Sequence, residues 1–415
     1  VVQDEKEDII NAKKRTKKHI KKVKSVLTKD AIKASFFFNS EIYEKILYTQ
    51  YNKMVEETYH KLFKTDLNNF IFIYTPPKVG STTLVTSLRI SLGNSYNIMH
   101  IHDDIMLNVL TGINNVSINE IINYIASKGK NVYVIDVYRE PVERKMSEYF
   151  EKISCYHFNN SEENVNKYNL TRVTNRFNKL FPHLAKKEHY FDKYNIENPI
   201  TFNFEKKYSL QIIDGVNYIK LRLIDSKNWG SILSEILKND VVLINDYRTE
   251  QKGFAELYAK FKDEYRLPIN YLKLIKNCKY FNFYFTEEER VKYLAKWENK
   301  VCHDIVPYND NEYKFYINLC LENQFYNDIQ VDHYLDCGCK CKSCSLKRRE
   351  IFFRAKQGET ITEKIRHIEA VKENIAKKNN NVVKMVKKLN ELVKLKNKKP
   401  QSNTLSPLLS NIINK

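Results

Sequence analysis

Glycine and proline are scarce, nine of each in 415 residues. That excludes collagen-like repeats and the Pro/Gly-rich compositions that stay disordered. Long apolar runs are missing too. No stretch approaches the ~20 residues that cross a bilayer as a helix, and no secretory leader is recognisable. The chain starts with Val1 rather than Met, so the expected compartment is cytoplasmic, or lumenal if an anchor precedes Val1. Cysteine is sparse at eight residues, four of them crowded between 337 and 344, which is not the framework of a disulfide-stapled secreted domain. Negative charge is also short: 50 Asp and Glu stand against 69 Lys and Arg, a formal charge of +19. Part of the Lys and Asn bias is of the kind an AT-rich genome imposes. The rest favours an anionic partner such as a nucleotide, an acidic glycan, nucleic acid or a membrane surface.

What is present is enough for one large α/β domain with appendages, since 42% of the residues are hydrophobic. Residues 1–66 form a basic, helix-prone N-terminal extension, with a Lys/Arg run at 13–22 and an apolar stripe through Tyr43, Ile46, Leu47 and Tyr51. Residues 67–330 form the α/β domain. Within it, strands are expected at 70–74, 96–102 and 132–138, with helices at 81–92, 117–128 and 141–154, an alternation that argues for a parallel sheet flanked by helices. Residues 151–215 are polar, rich in Asn, Tyr and His, and read as an irregular insertion. A strand at 216–224, a helix at 227–238, a short final strand at 241–244 and helices from 253 to 330 complete the domain. Residues 331–350 are a Cys-rich basic segment. Residues 351–415 form a helical tail, whose apolar positions between Ile361 and Leu395 fall mostly three and four apart, as in an amphipathic helix or a coiled coil that pairs chains.

The most informative stretch joins the first strand to its helix. The apolar run Ile71–Tyr74 stops at Pro76 and Pro77. Lys78, Val79 and Gly80 follow, and Ser81, Thr82 and Thr83 open an amphipathic helix. First-turn amides lack partners within a helix and the helix dipole there favours an anion. A glycine lets the backbone approach phosphate closely, and Lys78 adds positive charge. A Walker A loop places Lys directly before its metal-binding hydroxyl residue, after a second glycine, and the order here is different. The third strand has the same architecture. Its end, Tyr138, is followed by Arg139-Glu-Pro141, then Arg144, Ser147, Tyr149 and Phe150. Pro141 suits a first helical turn, while Arg139 and Ser147 are spaced to address one anion beyond the carboxyl ends of the strands.

These two motifs together resemble those of sulfotransferases that use 3′-phosphoadenosine 5′-phosphosulfate (PAPS). The Pro-Pro-Lys-Val-Gly-Ser-Thr-Thr loop is similar to their 5′-phosphosulfate loop, closest to the glycan and capsular-polysaccharide group. Arg139 through Phe150 is similar to their 3′-phosphate motif. The resemblance spans roughly residues 68–260. It implies a P-loop-like sulfotransferase fold and PAPS held by Pro77–Thr83, Arg139 and Ser147, with Arg144 bracing the loop. It also implies transfer of a sulfuryl group to an acceptor hydroxyl, the glycan binding at the 151–215 insertion. Gln251-Lys252-Gly253 is faintly similar to a late basic loop of the family, which adds Lys252 as a nucleotide contact. The 3′-phosphoadenosine 5′-phosphate (PAP) product leaves through its bridging oxygen, and Lys78 is placed to meet the charge that grows there.

The general base is expected at His100 or His102, with the two imidazoles pointing to opposite sides and His102, nearer the strand end, facing the crevice. Asp103 or Asp104 is expected to orient it, and His157 and His183 are the fallbacks. The His-x-His form resembles the base region of glycan O-sulfotransferases. Separately, Cys337, Cys339, Cys341 and Cys344 offer four soft ligands for a structural zinc, reduced thiols being the alternative. Two further readings remain open: a P-loop kinase, and a non-catalytic scaffold that binds nucleic acid or a partner through its basic termini.

Overall fold

The computed structural model describes residues 40–63, 66–158, 161–185, 201–244, 253–320 and 342–361. A long helix, α1 (Ser40–Leu62), leads into β1 (Asn69–Tyr74), α2 (Ser81–Leu92) and β2 (Tyr96–Ile101). Helices α3 (Asp104–Thr111) and α4 (Ile118–Ser127) then return the chain to β3 (Asn131–Tyr138). After β3 come α5 (Pro141–Glu151), α6 (Ile153–Tyr156), α7 (Glu162–Asn166) and α8 (Leu170–Leu180). The hairpin strands β4 (Tyr208–Ile213) and β5 (Val216–Arg222) follow, then α9 (Trp229–Leu237). The remainder is helical: α10 (Ala255–Glu264), α11 (Ile269–Lys276), α12 (Lys279–Tyr284), α13 (Glu287–Glu298), α14 (Asp310–Cys320) and α15 (Lys342–Lys356). A two-residue strand pair, β6 (Leu267–Pro268) with β7 (Val301–Cys302), lies among them.

The main sheet runs in the order β2-β1-β3-β5-β4. All its pairings are parallel except that of the edge strand β4 with β5. The fold is therefore α/β with a mostly parallel sheet, as expected. Both faces are covered, which is why β1 reads as a nearly continuous apolar run from Phe70 to Tyr74. On one face Phe70, Phe72, Met99, Val132 and Tyr218 pack with α1, α3 and α4. On the other, Ile71, Ile73, Ile98, Ile135 and Leu221 pack with α2 and α9. Helix α4 shows how locally the sequence writes this. Ser117 and Glu120 form a reciprocal capping box, and Ile118, Ile121, Ile122 and Ile125 form the buried stripe.

Three expectations need correction. Residues 241–244 are not a strand: the amides of Val242 and Ile244 donate to Ser91 Oγ and Ser87 Oγ on α2, and that of Val241 to Ser234 Oγ. Hydroxyls on the neighbouring helices thus take the donors that a sheet ladder would use. The 151–215 segment, where described, is structured rather than irregular. It supplies α6–α8 and β4, and buries Val173, Phe177 and Leu180 in a second, aromatic core with α5 and α10–α13. Finally, helix 141–154 breaks at Lys152 into α5 and α6. The N-terminal run 1–39, Lys252, the cysteines at 337, 339 and 341, and the tail from 362 lie outside the described residues. Cys344 falls in the first turn of α15, but only its backbone is described.

One polar pair sits inside the sheet. Lys220 on β5 is fully buried and bonds Asp136, its register partner on β3. Asp136 also accepts the Val137 amide at 2.7 Å, and Lys220 lies 5.2 Å over the Tyr284 ring. Removing one member of a buried pair strands the other charge at a cost of about 3–5 kcal/mol, whereas replacing both with apolar groups is far milder. Lys220→Met should therefore lower unfolding free energy by about that amount in a denaturant titration. Adding Asp136→Leu should recover most of the loss.

Candidate functional site

The sheet order places β1 and β3 side by side while their helices leave in opposite directions, and such a switch point is where open α/β sheets hold ligands. Two loops meet there. The β1–α2 loop carries Lys78 at φ 68° and Gly80 at φ 87°, two left-handed residues separated by Val79. For Lys78 that conformation costs about 1–2 kcal/mol, so the fold must hold it in place. Gly80 is the N-cap of α2, where no side chain caps the helix. A Cβ on Gly80 would come within 2.9 Å of Leu223 Cδ1 and 3.1 Å of the Trp229 ring. The loop is thus pressed against α9 at the start of α2, and an uncapped helix start in such a turn is chemically suited to an anion.

The second loop supplies the clamp. Arg139, immediately after β3, donates from Nη1 to the Lys78 carbonyl at 2.7 Å. This joins the two sequence motifs by one bond. Arg144, expected to brace the loop, is 3% exposed in α5. The Lys78 ammonium reaches Glu151 Oε2 at 3.1 Å, at the far end of α5. Ser147 lies one turn before Glu151, on the same side of the helix, and is buried. Ser81 is buried at the start of α2, Val79 is fully buried, and Pro77, Thr82 and Thr83 are half-buried or better in the same turn.

His102 sits just past β2, beside this loop. Its Nδ1 is 2.7 Å from the Thr75 carbonyl. A carbonyl only accepts, so Nδ1 carries the proton and Nε2 is the basic nitrogen. Enclosure lowers its pKa to about 4, against the raising pull of the Thr75 bond and Asp103, and the charges of Lys78 and Lys152 push the same way as enclosure. The expected orienting carboxylates each accept a backbone amide. Asp103 caps α3 by accepting the Met106 amide, and Asp104 Oδ1 accepts that of Ile118.

His100 and His102 do not face opposite ways. Residues two apart along a strand share a face, and the rings stand edge to face with centroids 4.7 Å apart. His100 is 1% exposed within the sheet, so His102 is the ring nearer the loop. His157 bonds the Tyr149 hydroxyl at 2.9 Å and His183 the Tyr308 carbonyl at 2.6 Å. Both fallback histidines belong to the aromatic core. Asn166 Nδ2 donates to the Gly253 carbonyl, which ties the chain just after Lys252 to α7.

Sequence reasoning missed Glu151, Lys152, the Thr75 carbonyl and the contact of Trp229 with Gly80. Only Glu151 left a trace, as the residue four beyond Ser147 on one helix. Among the described residues no three His, Cys, Asp or Glu side chains converge to hold a metal, and no helix is long and apolar enough to cross a membrane. The described cysteines 155, 278, 302 and 320 are free thiols. The chain matches no protein-family model, no curated protein and no solved structure.

The site makes two predictions. In an NMR pH titration the His102 ring should stay neutral through pH 5 and titrate near 4. A midpoint between 6 and 7, the ordinary range for histidine, would mean the ring is not enclosed. Because the folded value lies below the unfolded one, His102 and His157 contribute stability that is full above about pH 6.5. It is lost as the pH falls toward 4. Gly80→Ala should lower stability by about 1–2 kcal/mol from its positive φ alone, with more from the crowding against Leu223. An unchanged melting temperature would show that the loop is not held as described.

Proposed function

We propose that this chain is a PAPS-dependent sulfotransferase that moves a sulfuryl group to a hydroxyl of an acceptor, a glycan. The reading rests on one observation above the rest: the Arg139–Lys78 bond brings the residues of the two nucleotide-like motifs into one crevice at the sheet's switch point. The loop fits an anion. Its helix start has no side-chain cap, and its glycine position has no room for a Cβ.

In this reading Val79–Thr83 amides and hydroxyls hold the 5′-phosphosulfate, with Pro77 shaping the entry to the loop. Arg139 and Ser147 hold the 3′-phosphate, and only one of the five guanidinium N–H donors is taken by the Lys78 carbonyl. Lys252, which follows Gln251, and the 151–215 region complete the nucleotide and acceptor surfaces. The acceptor oxygen attacks sulfur in line while the bond to the bridging oxygen of PAPS breaks. The electron pair goes to that oxygen, where the Lys78 ammonium meets it. His102 Nε2 takes the acceptor's proton. Its low basicity suits a proton that moves late, as the new oxygen–sulfur bond acidifies it.

The Lys78–Glu151 pair is compatible with this role. Both side chains are partly exposed, and such pairs hold by about 0–1 kcal/mol. A phosphate bound through charge-assisted hydrogen bonds, at about 1.5–3 kcal/mol each, displaces the carboxylate. Glu151 thereby keeps Lys78 extended toward α5 without trapping it.

Isothermal titration of variants with PAP and with adenosine 5′-phosphate separates the roles. Arg139→Ala should weaken PAP by about 2–3 kcal/mol, as for a charged hydrogen bond, and adenosine 5′-phosphate by less. Equal losses would leave Arg139 as a brace only. Turnover of [³⁵S]PAPS onto a hydroxylated glycan should fall with Lys78→Ala and with His102→Ala. PAP affinity should fall only in the first. Full turnover in His102→Ala would move the base elsewhere.

A further inference from the structure

A second cleft, of about 440 Å³, opens along α8 and is lined by cations with no acidic residue among them. Arg172, Arg176 and Lys179 fall at i, i+4 and i+7, so they project from one face of the helix. Asn175 and Thr171 line the cleft beside them, as does Tyr308. Among the described residues neither guanidinium is ion-paired to a carboxylate. Both are braced by aromatic rings instead. Arg172 lies 3.6 Å over Tyr168, while Arg176 lies 4.4 Å over Tyr316 and 5.2 Å from Phe158. Lys179 is fixed differently, donating to the Val306 carbonyl at 2.7 Å from beneath Tyr308.

That construction has a consequence for binding. A solvated Arg or Lys must give up rotamer freedom when it meets a ligand. Here the stacking contacts have already fixed the two guanidinium planes. Positive charges with no carboxylate partner among the described residues, held at fixed places in a concave site, are built for an anion. The neutral amide and hydroxyl beside them add donors and acceptors suited to sugar hydroxyls. A single-strand nucleic-acid groove needs a succession of open aromatic faces on which bases stack. In this cleft the rings of Tyr168 and Tyr316 are covered by the arginines.

We infer that the α8 cleft binds an acidic oligosaccharide, with Arg172 and Arg176 gripping sulfate or carboxylate groups and Asn175 and Thr171 reading sugar hydroxyls. That this sugar chain is the sulfuryl acceptor rests on the transferase reading; that the cleft binds it does not.

The full chain is titrated with three probes: a heparin-derived tetrasaccharide, neutral chitotetraose and a dT12 oligonucleotide. PAP affinity and melting temperature are followed in parallel. The heparin tetrasaccharide should bind the wild type and chitotetraose should not. The double variant Arg172→Gln/Arg176→Gln should lose roughly tenfold or more in heparin-tetrasaccharide affinity, as for charged hydrogen bonds, while PAP affinity holds. Arg172 is exposed, so Arg172→Glu serves if the double variant fails to fold. Unchanged tetrasaccharide affinity in a folded variant would put the binding elsewhere on the basic surface and overturn the assignment. So would failure of the wild type to bind it, or dT12 binding more tightly and being lost in the same variant. Failure of the transferase reading would show separately, as absent PAP binding with the tetrasaccharide still bound.

Discussion

The site depends on a backbone carbonyl held by a guanidinium. Lys78 is a bulky residue in left-handed conformation, and left alone it would relax by about 1–2 kcal/mol. The Arg139 bond to its carbonyl, the packing of Gly80 under Trp229 and Leu223, and the burial of Val79 together hold the turn in place. The same bond ties the β1 and β3 loops together. Trp229 is itself fixed by donating Nε1 to the Arg222 carbonyl at the end of β5. The crevice is therefore framed by the carboxyl ends of β1, β3 and β5.

Beneath the crevice the sheet is stiffened from within. Lys220 and Asp136 lock β3 to β5 two residues short of the strand ends. Arg222 then bonds Asp225, Glu289 and the Tyr284 carbonyl. The Lys220–Asp136 pair specifies the β3–β5 register, because a slip by one residue would strand each charge without its partner. The aromatic core beside it, from Tyr149 to Trp297, anchors the segment that carries the α8 cleft to the same platform.

Much of this was legible in the sequence, for physical reasons that also mark where legibility ends. β1, β2 and β3 could be read because strands buried on both faces are forced to be mostly apolar and β-branched or aromatic, with few polar exceptions such as Asn97, His100 and Asp136. α4 could be read because its capping box is local, and α2 and α5 because Ser81–Thr83 and Pro141 mark their first turns. β4 could not. It is an edge strand with Leu210 and Ile212 on an exposed face, so its pattern looks like that of a polar loop. Helix α8 hid in an Asn-rich region, although Val173, Phe177 and Leu180 keep a helical spacing. The pairings Lys78–Glu151 and His102–Thr75 depend on tertiary placement that spacing does not encode. The shared face of His100 and His102 was available from strand geometry and was misread. The Cys cluster, Lys252 and the tail fall outside the described residues, so zinc, the late basic loop and self-association stay as sequence-based proposals.

The central claim is that the crevice between the β1 and β3 loops recognises a nucleotide by two phosphates, one at each loop. Its most direct measurement is calorimetry of the wild-type chain with PAP, ADP and adenosine 5′-phosphate, each without added metal. The account predicts that PAP binds about tenfold or more tighter than either of the others, the equivalent of one charged hydrogen bond to the 3′-phosphate. Equal affinities for PAP and adenosine 5′-phosphate, or a preference for ADP, would contradict it.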